Sequence, residues 1–443
     1  MLKKLYLKNY LSFGEVTLDL KNSNNTIKKY AAIYGENGSG KTNLLSALSF
    51  LKKSIFTLSF QYKFNDIFQS KVDKDELFNL LSRFKVPLSL NDLLKNKKTV
   101  ESKDNMVLHY EFKINNFNII YKMVFDDTSI IEESFSCPIN IYTVELFNIK
   151  KDNIKFNSNL FNNIEFKESI ETEIKKYWGK HTLLSIFNNL FFTQNNEYII
   201  ENVPLAFTKA LTYLSSIKVL TKEDEEINML GIDLYNTQQK NLLDNLNKGE
   251  IALEDINKLK LTETALNYYF TSLYSDIKSV IYKQEEKENK IKYSLYLKKK
   301  INKKIVEVPF DLESTGTKKL LTLFPLFYSV AEGDVVFIDE IDTGIHDVLF
   351  AHIIKNIVDT SKGQLIFTTH NTLLQNSISP KYLYIINSNA EGEKEIFNIT
   401  EFERIQSNHN ITKRYLDGLY GGVPIPSYFD FQDIVSEVND INE

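Results

Sequence analysis

Unbroken apolar runs predict buried strands at Tyr30-Ala31-Ala32-Ile33-Tyr34, Val335-Val336-Phe337-Ile338 and Leu365-Ile366-Phe367. Runs this short, without polar breaks, suit strands covered on both faces. Elsewhere the period is two. Val107, His109, Glu111 and Lys113 oppose Leu108, Tyr110, Phe112 and Ile114. This meander continues to Phe125 through a turn at Asn115-Asn116. A second alternating pair, Tyr293, Leu295, Leu297 and then Ile305, Val306, Val308, flanks Lys298-Lys299-Lys300-Ile301-Asn302-Lys303-Lys304. It predicts a hairpin whose lysines line the turn. Helical spacing marks Asn43-Leu44-Leu45-Ser46-Ala47-Leu48 and Leu320, Leu321, Leu323, Phe324. Leu266, Phe270, Leu273, Ile277 and Val280 step 4-3-4-3 and predict one helix with an apolar stripe. Asn247-Lys248-Gly249-Glu250 reads as the turn before it.

Between the first strand and its helix lies Gly35-Glu36-Asn37-Gly38-Ser39-Gly40-Lys41-Thr42, which fits the P-loop pattern G-x-x-x-x-G-K-[ST] without mismatch. Strand, glycine-rich turn, helix is the geometry that polyphosphate binding needs. The N–H groups from Asn37 to Thr42 can converge on an anion, and the helix N-terminus adds its positive dipole end. Lys41 would reach the outer phosphates of ATP, and the Thr42 hydroxyl would sit on Mg²⁺. The strand ending Ile338-Asp339-Glu340 has the Walker B pattern. Asp339 would hold the Mg²⁺ through its water shell, and Glu340 would act as general base toward the attacking water.

Two further stretches are read with these. Ser314-Thr315-Gly316 opens the apolar-periodic helix upstream of the Walker B strand, where Ser314 or Thr315 also suits an ordinary N-cap. A helix N-terminus offers free N–H groups and a hydroxyl to an anion. The strand Gln364 to Phe367 leads into Thr368-Thr369-His370-Asn371. His346 reads as structural.

Together, Glu313 to Leu320, Ile338 to Asp342 with His346, and Phe367 to Asn371 resemble the ABC-like ATPases of bacterial phage-resistance systems, the SMC- and OLD-related abortive-infection group. The run Asn410-Ile411-Thr412-Lys413-Arg414-Tyr415-Leu416-Asp417-Gly418-Leu419-Tyr420-Gly421-Gly422-Val423-Pro424 is similar to the end of that group. Leu7-Lys8-Asn9-Tyr10-Leu11-Ser12-Phe13 resembles the opening strand of SMC-like heads. The resemblance implies an α/β fold: an ABC-type P-loop ATPase head assembled from N- and C-terminal segments, with a mainly helical insertion. The segments are 1–145, carrying the P-loop; 146–287, the insertion; and 288–443, carrying signature, Walker B and switch histidine. It implies that Ser314 and Gly316 bind the γ-phosphate of ATP held by an opposite subunit. It implies that His370 contacts the γ-phosphate and that Asp342 lies in a D-loop. The Q-loop glutamine stays open between Gln61 and Gln69. A homodimer, or an oligomer of dimers, and a companion effector such as a nuclease or toxin are expected, the effector on the outer face of residues 222–287. Trp178, Phe187, Phe191 and Phe192 suggest that the insertion is a packed lobe and not a long arm.

Composition narrows the alternatives. A hydrophobic share of 43% supports a sizeable core, and one cysteine, Cys137, excludes an internal disulfide. No apolar run reaches a membrane span, and Leu2-Lys3-Lys4-Leu5 reads as a strand start and not a secretory signal. The expectation is a cytoplasmic protein without a membrane partner. Net charge is −5, which does not favour DNA as main ligand. A DNA-repair or recombination ATPase that clamps DNA remains the alternative. A nuclease of the OLD type would carry a toprim domain after the ATPase, and the stretch after His370 reads as too short for one.

Overall fold

The computed structural model describes residues 1–69, 86–114, 117–139, 142–151, 153–193, 196–222, 241–287, 289–406, 408–424 and 427–440. The strands, in chain order, are β1 (Leu2–Tyr10), β2 (Phe13–Asp19), β3 (Tyr30–Tyr34), β4 (Met106–Ile114), β5 (Phe117–Phe125) and β6 (Ile130–Ile139). Then come β7 (Tyr142–Lys150), β8 (Asn153–Phe156), β9 (Lys218–Leu220), β10 (Lys248–Ala252), β11 (Ile277–Lys287) and β12 (Lys290–Ile301). The last are β13 (Lys304–Pro309), β14 (Val335–Ile338), β15 (Gln364–Thr368), β16 (Leu383–Ser388) and β17 (Lys394–Asn398).

Six strands form one sheet in the order β17-β16-β3-β15-β14-β9. All its pairings are parallel except β16 with β17. Side-chain alternation divides the buried strands between two cores. Ala31, Ile33, Val335, Phe337 and Ile366 join the core that contains the helix Lys41–Gln69. Tyr30, Ala32, Val336, Ile338, Leu365 and Phe367 join the core under the helices Thr315–Glu332 and Asp347–Thr360. Covered on both faces, these strands have no place for a polar break.

The helix Lys41–Gln69 is buried on every side from Ala47 to Phe60, with Leu48, Leu51, Ile55 and Leu58 among its core residues. Such a helix needs neighbours on every side. It packs against the parallel sheet and against the helix Leu183–Thr193, and shares its core with a seven-stranded antiparallel sheet, β2-β1-β4-β5-β6-β7-β8. The expected meander is β4 and β5, in register from Met106↔Phe125 to Ile114↔Phe117. Its turn, Asn115-Asn116, lies outside the described residues.

A fully buried carboxylate ties this sheet to the helical layer. Glu133 accepts from Tyr121 Oη at 2.9 Å, Trp178 Nε1 at 2.8 Å and the Leu183 amide at 2.8 Å. It thereby anchors the start of the helix Leu183–Thr193. Burial pushes its carboxyl up to about 7. Glu133→Ala would leave several buried donors without an acceptor, each worth about 1–3 kcal/mol. We expect a loss of about 3 kcal/mol in unfolding free energy. An unchanged denaturation midpoint would show that other acceptors replace the carboxylate.

Among its described residues, the stretch 146–287 holds more helix than strand, as expected, and it also contributes strands to the sheets. It contains the helices Ile164–Tyr177, Leu183–Thr193, Asn196–Asn202, Leu205–Ser216 and Ile256–Leu273. It also supplies β9 to the parallel sheet, and β10 and β11 to a four-stranded sheet with β12 and β13. The boundary at 145 falls within β7, and the one at 287 falls inside the β11–β12 hairpin. The predicted single helix through Val280 ends at Leu273, and the chain turns back as β11. Ile277 and Val280 nevertheless join the same core as Leu266 and Phe270. A strand folded onto its preceding helix continues the apolar pattern, so periodicity alone could not separate the two. Of the expected turn Asn247-Lys248-Gly249-Glu250, the last three residues lie in β10, paired with β12. Phe187 is buried and Trp178 and Phe191 pack against its core, while the Phe192 side chain lies outside the described residues.

The lysine hairpin is β12 and β13, with Asn302 and Lys303 at φ +47° and +68°. Two positive φ values suit the twist of a tight hairpin turn. Its lysines engage acids: Lys298 and Glu307 lie 3.6 Å apart, Lys299 and Asp276 3.4 Å, and Lys299 and Glu313 3.1 Å. Among the described residues, no helix is long and apolar enough to cross a membrane.

Candidate nucleotide site

The site lies at the carboxyl ends of β3, β14 and β15, the edge where open parallel sheets bind ligands. After β3 the chain enters the P-loop, and Gly38 and Gly40 take φ +80° and +107°. Gly40 also has a steric reason. A Cβ there would meet the Phe13 ring at 2.8 Å. The helix starts at Lys41, with Leu44 N–H bonding Gly40 O at 2.9 Å. Lys41 is buried, and its ammonium donates to the Gly35 and Glu36 carbonyls at 2.7 and 3.0 Å. Burial lowers its proton affinity, while Asp339 and Glu340 oppose the shift.

β14 delivers Asp339 and Glu340 to the same edge. One threonine hydroxyl organises both: Thr368 Oγ1 donates to Asp339 Oδ1 at 2.5 Å and accepts from the Glu340 amide at 2.7 Å. Glu340 adopts φ +45°, which costs a non-glycine residue about 1–3 kcal/mol. Lys222 Nζ lies 2.9 Å from Glu340 Oε2 and holds the carboxyl below the usual carboxylate range. His370 follows β15, its amide donating to Asp342 Oδ2 at 3.1 Å. Shielding by the protein, then the neighbouring Lys41 charge, lowers the proton affinity of its ring.

A cavity of about 400 Å³ gathers Asn37, Gly38, Gly40, Lys41, Thr42, Asn43, Glu340 and His370. Asp339 and Ser39, each next in the chain to a lining residue, are buried. Asp339 Oδ2 has no hydrogen-bond partner, although the oxygen is fully shielded. An unpaired carboxylate oxygen at that depth needs a cation or an ordered water. The residues present therefore fit a hydrated Mg²⁺, with Thr42 and Asp339 as its holders.

Ser314 and Gly316 are not brought to this cavity. Ser314 is the exposed N-cap of the helix Thr315–Glu332, accepting from the Thr317 amide at 3.2 Å. Gly316 lies against the turn after Walker B, where a Cβ would meet Gly344 O at 2.5 Å. Glu313 beside them is held by Lys299, so the four-stranded sheet is tied directly to the start of the helix Thr315–Glu332. His346 caps the helix Asp347–Thr360 through Nδ1, as its structural reading expects. Gln61 lies within the P-loop helix and bonds His181 Nε2 at 3.1 Å. The Gln69 side chain lies outside the described residues. Sequence reasoning gave no role to Thr368 or Lys222. Thr368 had a visible signal, a polar residue ending an apolar strand. Lys222 had none, because only the pairing of β9 with β14 brings it to Glu340.

A family model described as "AAA domain, putative AbiEii toxin, Type IV TA system" matches residues 31–376. The chain belongs to that family. It is an AAA-type ATPase of the abortive-infection group, and the matched stretch spans the P-loop together with the positions expected from the sequence as signature, Walker B and switch histidine. Among solved structures this AAA-family chain is similar to an SMC head domain from Thermotoga maritima, at 16% identity and a TM-score of 0.39. That match covers 90% of this chain and 98% of the other. It is also similar to an Smc head bound to the C-winged helix domain of ScpA, at 15% identity and a TM-score of 0.44, covering 91% and 99%. The Smc head of Pyrococcus furiosus with an extended coiled coil, bound to the C-terminal domain of ScpA, gives 15% and 0.40, covering 95% and 99%. No curated protein matches the chain.

Proposed function

We propose that two copies of this ATPase close on ATP, each completing the other's site, and that this closure regulates a companion effector in defence against phage. One observation carries the reading. The cavity holds the P-loop, Glu340 and His370 of one chain, while Ser314 and Gly316 stand apart on a helix start. A helix N-terminus with an exposed serine suits a phosphate supplied from outside the chain. Lys41 would bind the outer phosphates together with the amides of Asn37, Gly38, Ser39, Gly40 and Thr42. Mg²⁺ held at Thr42 and Asp339 would neutralise phosphate charge when bound. Glu340 would accept the proton of the attacking water, and His370 would face the γ-phosphate.

The defence role draws its support from the family description, which concerns abortive infection and toxin–antitoxin systems. The DNA-clamping alternative finds less support, since Lys298 and Lys299 engage acids of their own and neighbouring strands. Ser314→Arg tests the pairing. It should leave equilibrium ATP binding within about twofold, because the P-loop lies in one chain, and reduce turnover at least about tenfold by obstructing the partner. The same variant should lose protection in a phage-plating assay of cells carrying the protein with its companion. Equal loss of binding and turnover counts against the shared site, and full protection by the variant counts against the defence role.

A further inference from the structure

β9 is the edge strand beside Walker B, paired with Ile338 opposite Leu220. The Asp339 amide continues the ladder, donating to Leu220 O at 2.9 Å. Thr221 and Lys222 thus leave the sheet on the edge where Asp339 and Glu340 leave it. The Lys222 ammonium reaches Glu340 Oε2 at 2.9 Å, and the Thr343 hydroxyl donates to the same oxygen at 3.4 Å. The Glu340 backbone is already immobilised. Its amide is bonded to Thr368, and its left-handed φ persists only where surrounding contacts enforce it. The remaining freedom is in the side chain, and Lys222 and Thr343 both act there.

We propose that Lys222 is a positioning residue for Glu340: it grips one carboxylate oxygen and keeps the group in a single orientation on the cavity wall. The proposal rests on Glu340 being the general base. Lys222 is absent from the cavity lining and its side chain is 69% exposed, so it acts through Glu340 and not on the nucleotide. It differs in this from Lys41, which lines the cavity. A base turned away by even a small rotation loses its reach to the water, and positioning of this kind governs the chemical step and not nucleotide affinity.

The test uses the full chain with Mg²⁺ and ATP. Lys222→Ala should lower kcat about fivefold and leave the KM for ATP within about twofold, the modest size expected of a partly exposed ion pair. Lys222→Arg keeps a cation at the same place and should return kcat to within about twofold of wild type. Thr343→Ala, which removes the weaker contact to the same oxygen, should show a smaller loss of the same kind. An unchanged kcat in Lys222→Ala overturns the proposal. So does a rise in KM matching the fall in kcat, or a failure of arginine to rescue. Glu340→Gln run in parallel separates the two levels. If it turns over normally, the assignment of the base fails. If it is inactive while Lys222→Ala behaves as wild type, only the role of Lys222 fails.

Discussion

Glu340→Gln binds ATP and does not hydrolyse it. This is the first expected result, and it follows from the division of labour at the end of β14. Asp339, tied to Thr368, keeps its second oxygen available for hydrated Mg²⁺, and the glutamine leaves that arrangement untouched. The substitution is nearly isosteric, and the amide bond to Thr368 that holds position 340 is a main-chain contact, so the cavity keeps its shape. What is lost is the proton acceptor beside the attacking water. General-base catalysis contributes about 10²–10⁴-fold, and we expect turnover to fall by at least about a hundredfold. Phosphate release under saturating ATP, measured beside equilibrium binding, reads both quantities. Turnover at the wild-type rate would show that another group takes the proton.

Lys41→Ala should lose nucleotide binding itself. The ammonium is buried at the helix start, and the carbonyls of Gly35 and Glu36 hold it in place. Its charge lies close enough to Asp339, Glu340 and Asp342 to be felt by each. Without it, the P-loop keeps its amides but loses the only cation lining the cavity among the described residues, and Asp339 and Glu340 repel the polyphosphate. Charge-assisted hydrogen bonds of this kind are worth about 1.5–3 kcal/mol each, and two of them correspond to a fall in affinity of at least about a hundredfold. Titration with ATP in the presence of Mg²⁺ measures it. Affinity within a few-fold of wild type would remove Lys41 from the phosphate site.

The parts of this fold visible in the sequence are those where one physical rule acts locally. β3, β14 and β15 are buried on both faces, so they must be continuously apolar, and their runs stand out. The P-loop is visible because a tight turn with positive φ at Gly38 and Gly40 leaves few residue choices. Less visible was anything set by pairing across long stretches of chain. β9 has three residues and no pattern of its own, yet its place beside β14 brings Lys222 to Glu340. The helix Ile256–Leu273 and β11 share one core, so their apolar residues read as a single stripe although the chain reverses between them. Glu133 would pass for a surface residue of an alternating strand, and only the fold shows it buried among its donors. Ser314 is seen as a helix cap, and its role toward phosphate belongs to the proposed pair, so it could not be read from one chain.

In the proposed pair, ATP joins two copies through the P-loop of one and the Ser314 helix of the other. Sedimentation velocity of Glu340→Gln, which should hold ATP without consuming it, tests this most directly. With saturating ATP and Mg²⁺ the account predicts the mass of a pair of chains or a multiple of it, returning toward the nucleotide-free species when Ser314→Arg is added to the same chain. A mass indifferent to ATP, or an ATP-dependent assembly that the Ser314→Arg change leaves intact, would contradict it.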